Sequence, residues 1–289
     1  MLSRIFSTVV LWTIILGSLW LFGSHAAVTI ATVLSALALY EFYDLTARMG
    51  ARPFRWMGIL FSILMTAGPY LCVALVEDDR HGFAYIGGAL LSLALIFAAL
   101  LISCIRVLGE RDSSNRVETL AATLTGLVYI PFTLQFLVLI LMFDATSTEN
   151  LVLCLWVIAV SKFCDVGALL TGLAIGKHKM SPVISPKKTW EGAIGGVFTS
   201  AGVGAAIAFF ASGQLPEELT PLVAALIAAP LGIVTIISDL IESVLKRRAD
   251  SKDSGRLIPG IGGALDLADS LLLTAPVAYF IFLFLFWGT

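Results

Sequence analysis

Residues 120–142 read LAATLTGLVYIPFTLQFLVLILM, 23 residues without a charged side chain. A hydrocarbon layer about 30 Å thick takes about 20 apolar residues in a helix, and only a helix or a closed barrel satisfies its backbone there. The stretch therefore reads as a membrane-spanning helix. Comparable runs lie at about 5–22, 26–43, 57–76, 83–105, 151–175, 192–211, 221–240 and 267–287, nine in all. The first is taken as a retained helix rather than a cleaved signal, because no small-residue cleavage site stands out and the second run follows at once. Only 13% of the 289 residues are charged, against about 25% in an ordinary soluble domain, and mean hydropathy is +0.96. The expected fold is an all-α polytopic membrane protein of about nine transmembrane helices, with two long polar loops on one side.

Orientation follows from Lys and Arg, which gather in cytoplasmic connections. Threaded with its N-terminus inside, the chain places sixteen of its eighteen basic residues inside, leaves Arg80 outside, and keeps Lys162 within a span. The N-terminus and both polar loops are thus expected to be cytoplasmic. A formal net charge of -2 excludes the basic footprint of a nucleic-acid binder, so no nucleic-acid partner is expected. Cys72, Cys104, Cys154 and Cys164 fall in or beside apolar runs without metal-ligand spacing, and read as reduced packing residues.

The composition divides the chain at about residue 150. Residues 1–150 form short-looped apolar helices, about five spans of scaffold. Glu41 stands out there, as an interfacial carboxylate or as part of a site. Residues 151–289 hold about four spans and the two polar loops, and are expected to carry the chemistry.

The first loop begins inside the sixth run, where Lys162 and Asp165 stand one helical turn apart and either pair with each other or border a polar site. It continues through KHKMSPVISPKKTWEGAIGG (177–196). Ser185 followed by Pro186 has the form of an N-cap and first helical residue, which puts Lys187, Lys188 and Thr189 near the positive end of a helix, where phosphate binds well. Gly192, Gly195 and Gly196 suit close helix packing.

The second loop reads SDLIESVLKRRADSKDSGRLIPGIGGALDLADS (238–270). Asp239, Ser243 and Lys246 fall on one helical face with Glu242 beside them, and acid next to hydroxyl suits a hard cation such as Mg²⁺. Pro259 to Gly263 break the chain, and a new helix starts near Ala264. Asp266 and Asp269 lie three apart at its start, and paired carboxylates at two helix ends call for a cation or a proton between them.

These two segments resemble the signatures of phosphatidate cytidylyltransferases, also called CDP-diglyceride synthases: GK-K-x-x-P-x-I-S-P-K-K-T-W-E-G-x-x-G-G over the first, and S-x-x-K-R…K-D-x-G…P-G-x-G-G-x-x-D over the second. The resemblance implies that CTP and phosphatidate give CDP-diacylglycerol and pyrophosphate with Mg²⁺, and with room for a second cation. It carries metal binding onto Asp239 and Asp266, with Ser243 and Asp269 in support. Asp239, Asp266, Lys246 and Lys252 become the catalytic set; Lys187 and Lys188 join Lys246 and Lys252 as phosphate contacts. Asp165, Ser185, Thr189, Glu191, Arg247 and Asp253 become polar substrate-binding positions. A bacterial inner membrane, contact with membrane lipids and a homodimer are further expectations from the family.

The chain departs from the pattern at three places. Ile261 stands for the usual His of P-G-H-G-G, Leu267 for the Arg after the metal-binding Asp, and Cys164 for the Asn before Asp165. Each removes a polar group, so that Arg256 or His178 takes over the lost contact, turnover falls, or the acceptor is another lipid phosphate of isoprenoid-ether type. A non-catalytic, CTP-binding relative is a further alternative. So is a transporter using Asp165, Lys162, Asp239 and Asp266 as an ion path, although these charges cluster at one face and no broken helices recur in repeated halves.

Overall fold

A computed structural model of the chain describes residues 13–74, 81–109, 115–143, 147–255 and 262–286. Arg4, Arg80 and Arg111 of the orientation argument, and Arg256 and Ile261 of the glycine loop, lie outside them. The elements are α1 (Thr13–Phe22), α2 (Ser24–Arg48), α3 (Arg55–Ala74), α4 (His81–Gly109), α5 (Arg116–Tyr129), α6 (Pro131–Ile140), α7 (Ser147–Ile175), β1 (Lys179–Ser181), β2 (Ser185–Thr189), α8 (Trp190–Phe210), α9 (Pro221–Arg248), α10 (Ala264–Leu272) and α11 (Thr274–Leu285). Among the described residues eight helical stretches are long and apolar enough to cross a membrane, and α1 is a shorter apolar helix. They match the nine expected runs, the first of which is described only from Thr13. The protein is an all-α polytopic membrane protein.

Two of the eight stretches are broken inside. Arg116–Ile140 is interrupted at Ile130, because Pro131 has no N–H to donate back into the helix. Thr133 Oγ1 donates to the carbonyls of Tyr129 (2.7 Å) and Ile130 (3.0 Å), the second of which also accepts from Leu134 N–H at 2.9 Å. Ala264–Leu285 breaks at Leu273, where Thr274 Oγ1 returns a bond to the Ser270 carbonyl at 2.7 Å. In lipid such hydroxyls replace the water that a soluble protein would use.

The chain forms two compact units. The first comprises residues 1–139 with 248–268, the second residues 140–247 with 269–289. In the first, Tyr43 is wholly buried and its hydroxyl donates to the Thr123 carbonyl at 2.9 Å. Gly58 and Gly126 pack on its ring so closely that a Cβ on either would lie 2.4 or 2.5 Å from it. Ser35, Ser62 and Thr66 join α2 to α3 by hydroxyl bonds of 2.9 and 3.1 Å. Where hydrocarbon solvates apolar side chains as well as a neighbour does, close packing and such bonds hold helices together.

In the second unit α7 and α8 pack along a seam of small residues, which is the role expected of Gly192, Gly195 and Gly196. A Cβ on Gly195 would lie 2.1 Å from Thr171 Oγ1, and one on Gly196 would lie 2.8 Å from the Cys164 carbonyl. Trp156, also fully buried, donates from Nε1 to the Gly204 carbonyl at 2.9 Å. All four cysteines are free thiols, with Cys154 and Cys164 buried.

The loop between α7 and α8 differs from its expected form. Ser185 and Pro186 do not start a helix; they open β2, which pairs antiparallel with β1 through Ser181–Ser185 and Lys179–Thr189. The helix starts at Trp190, and its N-cap is Thr189, whose Oγ1 accepts from Gly192 N–H at 3.1 Å. Pro186 fits an edge strand because it asks for no ladder partner on its nitrogen. Glu191 then folds back to accept from the N–H groups of Lys177 (3.1 Å) and His178 (3.2 Å) and to meet His178 Nδ1 at 2.5 Å.

Candidate functional site

The site is built from the polar end of α9 outward. This helix runs eight residues beyond the expected limit at 240, so Asp239, Glu242 and Lys246 stand on one face at the spacing of successive turns. Carboxylate oxygens of Asp239, Glu242 and Asp269 all lie within 4.8 Å of one another. Glu242 is fully buried, and Asp239 and Asp269 are partly so. Three acids at that separation repel by roughly 3 kcal/mol per pair at an effective dielectric constant near 20, so each needs a counter-charge.

Each has a lysine. Lys188 of β2 pairs with Asp239, Lys246 pairs with Glu242 one turn away on α9, and Lys162 of α7 lies 3.7 Å from Asp269. Lys162 also donates to Ser270 Oγ at 2.7 Å, so it reaches across from α7 to the acid on α10. Asp269 is fixed further: its Oδ1 accepts from Ser270 N–H at 2.5 Å, and its carbonyl accepts from Ser238 Oγ. Asp165, half-buried on α7, lies within the electric field of Lys162, Asp269, Asp239 and Lys188. The result is a partly buried set of three carboxylates, each facing an ammonium group, with the Asp165 carboxyl beside them. Clustered hard oxygen donors of this kind fit an oxygen-seeking divalent cation, and ammonium groups beside them fit phosphate.

Other expected residues fall around this set. Ser243 is half-buried on α9, four residues after Asp239. Arg247 Nε donates to the Ile184 carbonyl at 3.2 Å and so ties the hairpin to α9. Ser185 sits in the strand pairing, Lys187 is exposed, Thr189 caps α8, and Glu191 closes the loop backbone. Cys164, where the signature has Asn, is buried with its thiol donating to the Gly232 carbonyl at 3.4 Å.

Asp266, Lys252 and Asp253 belong to the first unit. Asp266 Oδ2 accepts from Ser254 N–H (3.1 Å), Ser254 Oγ–H (2.9 Å) and Gly263 N–H (2.8 Å). Lys252 and Asp253 are exposed, and with Tyr40, Glu41, Asp44 and Arg48 they line a cavity of about 490 Å³. Glu41 is 3% exposed, and Ser254 Oγ and Leu265 N–H both donate to its Oε2 at 2.9 Å. Sequence reasoning left Glu41 open as part of a site, set Lys162 against Asp165 or at the border of a polar site rather than on Asp269, and gave Glu242 no role of its own. The signal for all three was the same, an ionisable residue set in apolar surroundings.

Comparison with known proteins identifies the family. The family model described as cytidylyltransferase family matches residues 2–285. The chain is 33% identical over 289 residues to a phosphatidate cytidylyltransferase of Brucella suis, covering 96% of this chain and 91% of that one. It is 32% identical to a phosphatidate cytidylyltransferase of Rickettsia bellii over 65% of this chain and 80% of the relative. It is also 32% identical to the uncharacterized protein YnbB of Escherichia coli K12, over 78% of this chain and 79% of that protein. With its acid and lysine cluster drawn from α7 and the two signature segments, this membrane-spanning chain belongs to the cytidylyltransferase family.

Proposed function

We propose that the protein transfers the cytidylyl group of CTP to phosphatidate, giving CDP-diacylglycerol and pyrophosphate. The observation that carries this reading is the cluster of Asp239, Glu242 and Asp269 with Lys188, Lys246 and Lys162. The relatives named phosphatidate cytidylyltransferase support the choice of acceptor.

In the reaction, a phosphate oxygen of phosphatidate attacks the α-phosphorus of CTP in line. The new O–P bond forms as the bond to the β-phosphate oxygen breaks, and pyrophosphate leaves with the electron pair. Positioning and charge stabilisation supply the catalysis, since no covalent intermediate on the protein is needed. Lys188 and Lys246, held at the acids, and Lys187 and Lys252, exposed in the two loops, are assigned to the phosphates. Asp239, Glu242 and Asp269 are assigned to Mg²⁺, with Ser243 in support, and Asp266 keeps the metal-binding role that the resemblance gives it. When bound, the ion supplies Lewis-acid charge to the phosphate oxygens. Asp165, Ser185, Thr189, Glu191, Arg247 and Asp253 complete the proposed substrate environment.

The chemistry is assigned mainly to residues 151–289, with 1–150 as scaffold apart from Glu41. We place the active site on the cytoplasmic side of a bacterial inner membrane, as the distribution of Lys and Arg supports, and a homodimer is part of the same proposal.

The test is incorporation of labelled CTP into chloroform-soluble product by purified protein with phosphatidate and Mg²⁺. Product from the wild type and none from Asp266→Asn is expected; no product from folded wild type would refute the proposal. The second reading, an isoprenoid-ether lipid phosphate as acceptor, is favoured by the apolar Leu267 and Cys164 where the signature is polar. It predicts transfer to that lipid and not to phosphatidate.

A further inference from the structure

An ionised carboxylate is removed from water only at a cost of several kcal/mol unless donors replace its hydration, so the partners of a buried Glu are the reason it can be there. Glu41 has two, one on the polar segment that leads into α10 and one in the first turn of α10. Ser254 Oγ and Leu265 N–H converge on its Oε2, each at 2.9 Å. The backbone around it is correspondingly close: a Cβ on Gly255 would lie 1.9 Å from Glu41 Oε1, and one on Gly263 would lie 2.2 Å from Oε2. Residues 254–255 and 263–265 thus both close on this one carboxylate, and both can do so because glycine stands at each contact.

Ser254 links Glu41 to Asp266. Its Oγ is 2.9 Å from Glu41 Oε2 and 2.9 Å from Asp266 Oδ2, so one hydroxyl proton is shared between two carboxylates. Gly263 N–H and Ser254 N–H complete the hold on Asp266 Oδ2, and both belong to the backbone that closes on Glu41. We infer that Glu41 is a positioning residue of the transfer reaction, which acts through Ser254 and the backbone around Gly263 to fix the carboxylate of Asp266. The inference rests on the metal-binding role proposed above for Asp266.

A group that orients a metal-binding carboxylate changes metal affinity or activity by about 10- to 100-fold when it is removed. The choice of substituent separates orientation from bulk. In Glu41→Gln an amide oxygen in the place of Oε2 still accepts from both Leu265 N–H and Ser254 Oγ, so the contacts survive although the charge is lost. This variant should therefore match the wild type, whereas Glu41→Ala and Ser254→Ala should not.

The experiment is titration of the full-length purified protein with Mn²⁺, read from the EPR signal of the free ion, with CTP present and no lipid acceptor. Glu41→Ala and Ser254→Ala are expected to weaken Mn²⁺ binding by about 10- to 100-fold, and the double variant no further than the weaker single one, since the two belong to one chain of contacts. Glu41→Gln is expected within about threefold of wild type, a rescue that bulk packing alone would not sort in this way. Should Glu41→Ala fail to fold, Ser254→Ala and Glu41→Gln decide the matter. Wild-type affinity in Ser254→Ala, or a Glu41→Gln variant as weak as Glu41→Ala, overturns the inference. Asp266→Asn is measured alongside. If it keeps full Mn²⁺ affinity, the metal role of Asp266 fails and the inference with it. If it loses affinity while Ser254→Ala does not, only the positioning role of Glu41 is lost.

Discussion

Replacing Lys188 with Gln should move two affinities in opposite directions. The Lys188 ammonium pairs with Asp239, and the two side chains are only 24% and 26% exposed. A divalent ion arriving alone must displace or tolerate that ammonium. Two unit charges about 4 Å apart interact by roughly 4 kcal/mol at an effective dielectric constant near 20. Residual solvent at a quarter-exposed pair, and the freedom Lys188 regains on leaving, reduce the net barrier to about 1–2 kcal/mol. Removing the ammonium should accordingly tighten Mn²⁺ binding in the absence of nucleotide by about tenfold, the equivalent of 1.4 kcal/mol. The same change removes a charge-assisted contact with phosphate, worth about 1.5–3 kcal/mol, and should lower kcat/KM for CTP by about 10- to 100-fold. Both quantities can be read on one preparation, by EPR titration with Mn²⁺ and by incorporation of labelled CTP. Unchanged or weaker Mn²⁺ binding in Lys188→Gln would refute the idea that this lysine occupies the place of a cation.

Three further outcomes follow from the same geometry. Gly196→Ala sets a Cβ 2.8 Å from the Cys164 carbonyl in the seam between α7 and α8, a backbone contact that cannot rotate away. It should cost about 1–3 kcal/mol and lower the melting temperature in detergent. Thr189→Ala removes the acceptor that caps α8 and should cost about 1 kcal/mol, while Thr189→Ser should keep the stability; thermal unfolding of the pair checks this. The double variant Ile261→His with Leu267→Arg returns the two polar groups of the signature and should transfer cytidylyl groups to phosphatidate as fast as the wild type or faster. Loss of folding in that variant would mean that the segment has packed around its apolar side chains.

The spans were legible because their cause is local. An apolar run of about 20 residues has no other stable place than the bilayer, whatever lies elsewhere in the chain. The end of α9 was less so, since hydropathy marks where a helix leaves lipid and not where it stops. Asp239 to Lys246 continue the helix because their periodicity gathers the charges on one face. The hairpin was misjudged where two cap signals compete within five residues. Ser185–Pro186 is a good helix start in isolation, and Thr189, followed by Glu191 in the first turn, is another. Pairing of Ser185 with Ser181 settles the choice in favour of the strand.

Glu41 marks the other limit. Its partner Ser254 is 213 residues away, so a single sequence shows the oddity of an acid within LYEFYDL but not what it holds. Glu242 is legible as a polar neighbour of Asp239, whereas its complete burial becomes clear only once the chain has folded around it.

The pairing of three acids with three lysines bears on how the proposed reaction avoids wasteful metal binding. A bare cluster of carboxylates at the edge of a membrane would be costly to keep folded and would take up any abundant divalent ion. Here Lys188, Lys246 and Lys162 already hold Asp239, Glu242 and Asp269, so an ion alone must compete with ammonium groups for these acids. The phosphates of a nucleotide give the displaced ammonium groups new partners. Metal and CTP should therefore bind with positive coupling, each raising the affinity of the other by the same factor. That reciprocity is measurable: Mn²⁺ affinity with and without CTP, and CTP affinity with and without Mn²⁺, must give one ratio. In Lys188→Gln the ratio should shrink, because the ion then no longer depends on the nucleotide to draw the lysine away from Asp239. A ratio equal to the wild-type value would leave the coupling to the phosphates alone and remove the lysine from the argument.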